Sequence, residues 1–240
     1  LIIYRLLINL VVIFSPIILI IRLIKKKEDP SRFKEKFCFF SEKRKNGNLI
    51  WFHGASVGEI LSVIPLIHKY EKRKSITKIL ITSNTLSSSK VLEKYKFKKT
   101  IHQFFPIDHF YLINKFLRYW QPHMAIFVDS EIWPGMATAL EREKIPLILI
   151  NARITKRSFK KWLKFRKFSV SIFKKITVAY PQNKETKKIL KELKVNKIKE
   201  LGNLKLVENT HDKQDKINSK LNIQFKRYKT WVAASTHANE

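Results

Sequence analysis

The 240-residue sequence has a single cysteine, Cys38, which excludes an intrachain disulfide and any cysteine-rich metal site; a reducing compartment fits such a chain. It has only five glycines, and none of them builds a Walker loop or a GxGxxG fingerprint. An HExxH zinc signature is missing, as is any Ser, His and Asp order that suggests a nucleophilic triad. Acids are scarce: 19 Asp plus Glu stand against 49 Lys plus Arg, a formal charge of +30. That excess implies an anionic partner, whether nucleic acid, an acidic membrane surface or a phosphorylated substrate, although part of it reflects a general bias towards Lys, Ile and Asn. The aromatics are not interleaved with Arg or Lys in a recognisable module, which argues against a nucleic-acid-binding protein. With 45% hydrophobic residues the chain can bury one good core and the start of a second.

The amino terminus chooses among the anionic partners. From Leu6 to Ile21 it reads LLINLVVIFSPIILII, apolar except for Asn9 and Ser15, and extension to Leu1 and Ile24 reaches the about 20 residues that cross a bilayer. Residues 1–24 therefore read as a membrane anchor, with Arg5 and Arg22 placed to snorkel and Pro16 expected to kink or divide the helix. A buried core helix is the competing reading. A cleaved signal peptide is the weaker one, because no short cationic leader precedes the run and no A-x-A-like site follows it. Lys25, Lys26 and Lys27 come next, and the positive-inside tendency then puts the rest at the cytoplasmic face of an inner membrane, against anionic lipids.

Residues 25–48 form a basic connector without a clear period. Strand, loop and helix then alternate, which predicts an α/β fold with a parallel sheet covered on both faces. The expected strands are Leu49–Phe52, Lys78–Thr82, Ile101–Phe105, Met124–Val128, Leu147–Ile150, Ile176–Ala179 and Lys197–Leu201. Helical spacing marks Phe110–Trp120, Ala137–Lys144, Phe159–Phe173 and Glu185–Leu193. A domain over 49–206, a polar linker over 207–228 and the first strand of a second domain over 229–240 complete the division.

The organising stretch is WFHGASVGE, Trp51–Glu59. An apolar strand ends there at a turn of small residues, Gly54, Ala55, Ser56 and Gly58, where backbone can bend and a ligand can approach closely. A helix follows through Ile60, Leu61, Ile64 and Ile67, with Pro65 expected about a turn in. Its first N–H groups and Glu59 would face the crevice where α/β sheets bind ligands. Two readings of Glu59 stay open: a proton acceptor in that crevice, or a carboxylate that complements the helix dipole. Other polar residues also follow expected strands: Thr82 to Thr85 (TSNT), Asp108, Asp129 with Glu131, Asn151 with Arg153, Gln182, and Asn203 with Lys205. The set suits chemistry in which a carboxylate takes a proton while cations and backbone donors hold phosphate groups.

In this order HGASVGE, TSNT, FFPID, DSEIWPG, NARITKRS, GNLK and ASTHANE resemble the Kdo (3-deoxy-D-manno-octulosonic acid) transferases of lipopolysaccharide synthesis. The resemblance runs from the anchor to Glu240. It implies a two-domain, metal-independent GT-B glycosyltransferase that moves Kdo, with inversion, from CMP-Kdo to a lipid A precursor (lipid IVA). The first, Rossmann-like domain would bind the acceptor, and the second would be only begun. Residue by residue, Glu59 matches the general base and Glu131 the second acid of an ETELWPN pattern, with an orienting or a helix-capping role. Ser56, Gly58, Thr82, Thr85, Arg153, Asn203 and Lys205 fall at substrate-side positions. Ser235, Thr236 and His237 fall on the donor side. The resemblance implies no cofactor beyond the donor CMP-Kdo and no metal, and no protein partner is inferable from the sequence. Asp129 and Ser130 stand where the family usually has Glu and Thr, Gly135 where it has Asn, and Asn239 where it has Gly. A catalytically inactive scaffold of the same fold is the alternative.

Overall fold

An amino-terminal helix, Ile2–Ile24 (α1), precedes a six-stranded sheet in the computed structural model, which describes residues 2–201. Leu49–His53 (β1) lies in the middle of the sheet and is buried at every position. Lys78–Ser83 (β2) and Thr100–Phe104 (β3) lie to one side of it. Met124–Val128 (β4), Leu147–Ala152 (β5) and Val178–Pro181 (β6) lie to the other. All pairs are parallel, in the order β3-β2-β1-β4-β5-β6. Strands covered on both faces have no contact with water, hence the continuous apolar runs of β1 and β4.

Alternate residues of β1 feed two cores, as the two-residue repeat of a strand requires. Leu49 and Trp51 join Phe105, Phe116, Trp120 and Phe127 on one face. Ile50 and Phe52 join Ile60, Ile64, Ile79 and Val128 on the other. The second face is covered by Val57–Glu71 (α2) and Leu86–Glu93 (α3). The aromatic face is covered by Phe110–Trp120 (α4), Pro134–Arg142 (α5), Arg166–Phe173 (α7) and Lys184–Glu192 (α8), with Lys156–Leu163 (α6) lying outside them. The expected α/β class with a Rossmann-like parallel sheet behind an apolar helix is therefore observed.

Several boundaries differ from expectation. Lys197–Leu201 forms no strand; only Ile198 bridges to Ala179, because its neighbours Lys197, Lys199 and Glu200 offer nothing to bury. The last strand begins at Val178, since Ile176 is used to close the turn after α7. The single helix expected over Phe159–Phe173 is two, α6 and α7, and at the break the Ser169 hydroxyl donates to the carbonyls of Trp162 (2.6 Å) and Phe165 (3.1 Å). Pro65 lies nine residues into α2 rather than near its start. Pro16 does not divide α1: Ser15 Oγ donates at 2.7 Å to the Val12 carbonyl, which a proline at position 16 leaves without its helical partner. The expected strand at 229–240 and the linker lie outside the described residues.

The largest correction concerns residues 25–48. They are held by two buried acids rather than strung along as a connector, Glu28 tying the segment to α1 and Glu35 tying it to the sheet. Glu28 lies between Arg22 (2.5 Å) and Lys36 (2.6 Å). Glu35, in the 3-10 turn Phe33–Phe37, accepts from Arg32 (2.8 and 3.1 Å), Ser41 Oγ (2.6 Å) and the backbone N–H of Phe104 (2.8 Å). Arg32 in turn donates to the His102 carbonyl at 2.7 Å and meets His102 Nδ1 at 3.0 Å. Because a guanidinium only donates, that nitrogen accepts, and Nε2–H of His102 donates to Ser83 Oγ at 2.9 Å. Burial and the Arg32 charge push the His102 pKa down to about 3, in keeping with a neutral ring. Cys38 is buried too, and burial raises its thiol to about 12, so it is not a nucleophile at neutral pH.

Removing Glu35 strands a partly buried guanidinium and a sheet N–H. Glu35→Ala is expected to cost about 3 kcal/mol in urea unfolding. Glu143→Ala, which loses only a half-exposed pair with Arg142, should stay within about 0.5 kcal/mol of the parent.

Candidate active site

The strand order reverses between β1 and β4, and in such sheets the crevice beyond the strands' carboxyl ends at that switch point is where ligands sit. Two acid-bearing turns meet there. After β1, Ser56 caps α2, with its Oγ accepting from the Glu59 N–H at 3.4 Å. The Glu59 carboxylate reaches back to accept from Ala55 N–H at 2.7 Å and from Ser56 Oγ at 3.0 Å, a variant of the capping box. Gly54 has a packing reason: a Cβ there would lie 3.1 Å from Glu59 Cβ and 3.3 Å from Ile60 Cδ1. Gly58 has none, since a Cβ would project into open space. That space is the approach the turn leaves free.

After β4 the chain turns through Asp129, whose φ of 60° is left-handed, and Asn151 at the end of the adjacent β5 is also left-handed at 51°. Non-glycine residues hold such angles at a cost and gather at functional turns. Glu131 follows, and its Oε2 has two partners: Trp133 Nε1–H donates at 2.9 Å, and His53 Nε2 lies at 3.3 Å. His53 is completely buried, stacked on Phe105 with ring centroids 3.8 Å apart, and its Nδ1 lies 3.0 Å from Thr82 Oγ1. Thr82 Oγ1 also accepts from Trp51 Nε1 at 2.8 Å. Burial lowers the His53 pKa while Glu131 raises it, with a net lowering. A neutral imidazole whose Nε2–H donates to Glu131 leaves Nδ1 to accept from the Thr82 hydroxyl, and the Thr82 carbonyl, 3.2 Å from Nδ1, is then not bonded by the ring. A file of donors thus runs from the core to one carboxylate.

The two acids also feel one another. The Glu59 carboxyl is raised above its ordinary range, first by burial and then by the negative charge of Glu131, against the lowering effect of Ala55 N–H and Ser56. Glu59 is thereby moved towards the range in which a carboxylate serves as a base at neutral pH. Among the described residues no three His, Cys, Asp or Glu side chains form a group that could hold a metal ion.

The other expected site residues divide into kinds. Thr82 is fully buried and serves His53. Thr85 caps α3, accepting from Ser88 N–H at 3.2 Å. Arg153 is exposed at the end of β5, its N–H donating to the Asp129 carbonyl at 3.3 Å. Asn203, Lys205, Ser235, Thr236 and His237 lie outside the described residues. His53, Trp51 and Trp133 were not singled out from the sequence, although a histidine ending an otherwise apolar buried strand was the available signal. Gly135 has a steric reason: a Cβ there would fall 2.8 Å from Asp108 Oδ2. Asp108 accepts from Gly135 N–H (2.8 Å) and Met136 N–H (2.7 Å) at the start of α5, and burial pushes its pKa up to about 6.

A doubly wound α/β domain with a pair of acids at its switch point is the class that fold and site define. Residues 31–208 match the family model of 3-deoxy-D-manno-octulosonic-acid transferase (kdotransferase), and the chain belongs to that family. It is 39% identical over 195 residues to the 3-deoxy-D-manno-octulosonic acid transferase of Rickettsia prowazekii, covering 80% of this chain and 42% of that one. The Rickettsia bellii enzyme of the same name is 33% identical over 93% of this chain and 53% of its own length, and that of Haemophilus influenzae 28% over 80% and 45%. The chain thus spans about half the length of the curated relatives it matches.

The coupling between the acids can be measured without turnover. Glu131→Gln removes a negative charge near Glu59, so the Glu59 pKa, followed by carboxyl-carbon NMR, is expected to move down. An unchanged titration would mean that the two turns do not share one crevice.

Proposed function

We propose that the full-length protein transfers Kdo from CMP-Kdo to a lipid A precursor at the cytoplasmic face of the inner membrane. Family membership supports a glycosyltransferase that adds Kdo. The observation that carries the mechanism is Glu59, a partly buried carboxylate with a raised pKa at the mouth of the switch-point crevice. Glu59 takes the proton of the acceptor hydroxyl. The freed oxygen bonds to the anomeric carbon of Kdo from the face opposite the phosphate, and the bond from that carbon to the phosphate oxygen breaks, releasing CMP. Inversion follows from that geometry. Glu131, held by His53 and Trp133, orients the acceptor and keeps Glu59 basic. Arg153 and, outside the described residues, Asn203, Lys205, Ser235, Thr236 and His237 would hold phosphate and carboxylate groups of donor and acceptor. The reading calls on no metal and no cofactor, and it places the donor site between this domain and a second one in a GT-B arrangement.

A second reading has its own observation. Glu59 closes a capping box, which would suffice to explain a carboxylate in an inactive scaffold. Glu59→Gln in the full-length protein separates the two. The amide can still accept from Ala55 N–H but cannot take a proton, so kcat should fall about 10²–10⁴-fold with KM nearly unchanged. A variant that loses about 0.3–1 kcal/mol of stability yet keeps full turnover would leave Glu59 a cap only. In the parent, kcat/KM should fall as pH drops through the raised Glu59 pKa, because the base must be unprotonated.

Membrane attachment rests on α1, whose exposed side chains include Leu6, Leu10, Phe14, Ile17 and Ile21. The paired change Phe14→Asp and Ile17→Asp should release most of the protein from vesicles of anionic lipid. A remainder carried by surface Lys and Arg should wash off in high salt.

A further inference from the structure

The way α1 lies on the domain bears on how it meets the bilayer. Tyr4, Ile8, Val12, Ser15, Leu19 and Leu23 are its less exposed positions, spaced three or four apart on one face of the helix, and Ser15 and Leu19 among them are buried. Both ends are also tied to the same body. At the start, Tyr4 OH donates to Asp108 and the Tyr4 ring lies 6.1 Å from that of Phe168; at the end, Arg22 pairs with Glu28. These ties stand about 27 Å apart along the axis, close to the about 30 Å of a bilayer's hydrocarbon. A helix crossing perpendicularly from Lys25 would carry Tyr4 to the far side, away from Asp108. It would also leave the domain surface beneath Ile8, Val12 and Ser15 uncovered.

We infer that α1 does not cross the membrane but lies in the plane of one leaflet, its sheltered face on the domain and its remaining faces in the acyl chains. The polar side of an ordinary interfacial helix is here replaced by the domain. The surface beside α1 continues the same character. A cleft of about 260 Å³ opens between its first turns and the starts of α4 and α5, lined among others by Arg5, Asp108, Phe110 and Arg142. Arg5 and Arg142 each stand 5.6 Å from the exposed Phe110 ring, and Lys115 stands 4.9 Å from the exposed ring of Phe39. Exposed aromatics paired with cations, next to an apolar helix, match the headgroup layer of an anionic leaflet. The same cleft includes Pro134 and Gly135, which open α5 directly after the turn that carries Glu131. In-plane seating therefore holds the carboxyl-edge turns at headgroup level, where the hydroxyl of a lipid-borne acceptor would arrive.

This inference rests on the membrane attachment proposed above and is tested separately from it. In the full-length protein Arg5→Cys and, as a second site, Asn9→Cys place thiols at exposed positions near the start of α1, with Lys27→Cys as the cytoplasmic reference. A membrane-impermeant maleimide is applied to intact cells and to inverted vesicles. Labelling of all three from the cytoplasmic side alone is the expected result. Labelling of Arg5→Cys or Asn9→Cys from outside, or from neither side, overturns in-plane seating even if the protein pellets with membranes. Failure to pellet, with a dimer forming through this face instead, overturns both this inference and the attachment it rests on.

Discussion

The polar atoms of β1 cannot reach water, and much of the site follows from that. Trp51 and His53 are completely buried side chains on one strand, each with a nitrogen that must find a partner inside the protein. Thr82, their neighbour on β2, receives the indole N–H and faces the imidazole, which leaves the far imidazole nitrogen to meet Glu131. Thr82 is therefore the middle of a chain that runs from Trp51 to Glu131. Leaving a buried polar group unpaired costs about 1–3 kcal/mol, so the chain fixes Glu131 from within the core. Trp133 holds the same oxygen from the turn itself, and the acid is set from two directions before any substrate arrives.

Two negative groups facing one crevice would repel each other, and the fold offsets this unequally. Glu131 has two N–H donors on one oxygen. Glu59 has one backbone N–H, one hydroxyl and the positive end of α2, yet burial and the charge of Glu131 outweigh them and its pKa rises. The proposed assignment draws on this asymmetry, with Glu131 as the orienting acid and Glu59, its pKa raised, as the one that exchanges a proton. The capping geometry is compatible with that proposal, because a carboxylate kept in place by Ala55 and Ser56 has a fixed reach.

What the sequence made legible was what depends on short-range pattern. Apolar runs and helical spacing placed six strands and most helices, because burial on both faces leaves no other composition possible for β1 and β4. Glu59 and Glu131 were visible as acids in turns of small residues and proline. The errors came where long-range partners decide. Glu28 and Glu35 stand in the stretch read as a basic connector and carry no local signal, but Arg22, Lys36 and the Phe104 N–H draw them inside. His53 carried a signal, a lone imidazole in an apolar strand, but its partners lie 29 and 78 residues away. Lys197–Leu201 had the alternation of a strand without the apolar face that would seat it.

Asp108 joins the parts that a linear reading keeps separate. It follows β3, its carboxylate closes the start of α5 through Gly135 and Met136, and it receives the hydroxyl of Tyr4 from the apolar helix. One residue thereby connects the amino-terminal helix to the turn that bears Glu131. The contact also explains why glycine stands at 135: any side chain there would strike Asp108 and open the joint. Burial without a cationic partner raises the Asp108 carboxyl to about 6, so forming this joint carries a cost that grows as the group ionises. Three donors from two segments, the Tyr4 hydroxyl of α1 and the Gly135 and Met136 N–H groups of α5, offset that cost, and the Tyr4 share lasts only while α1 stays against the domain. The position of the helix and the shape of the acid-bearing turn are therefore set by the same carboxylate.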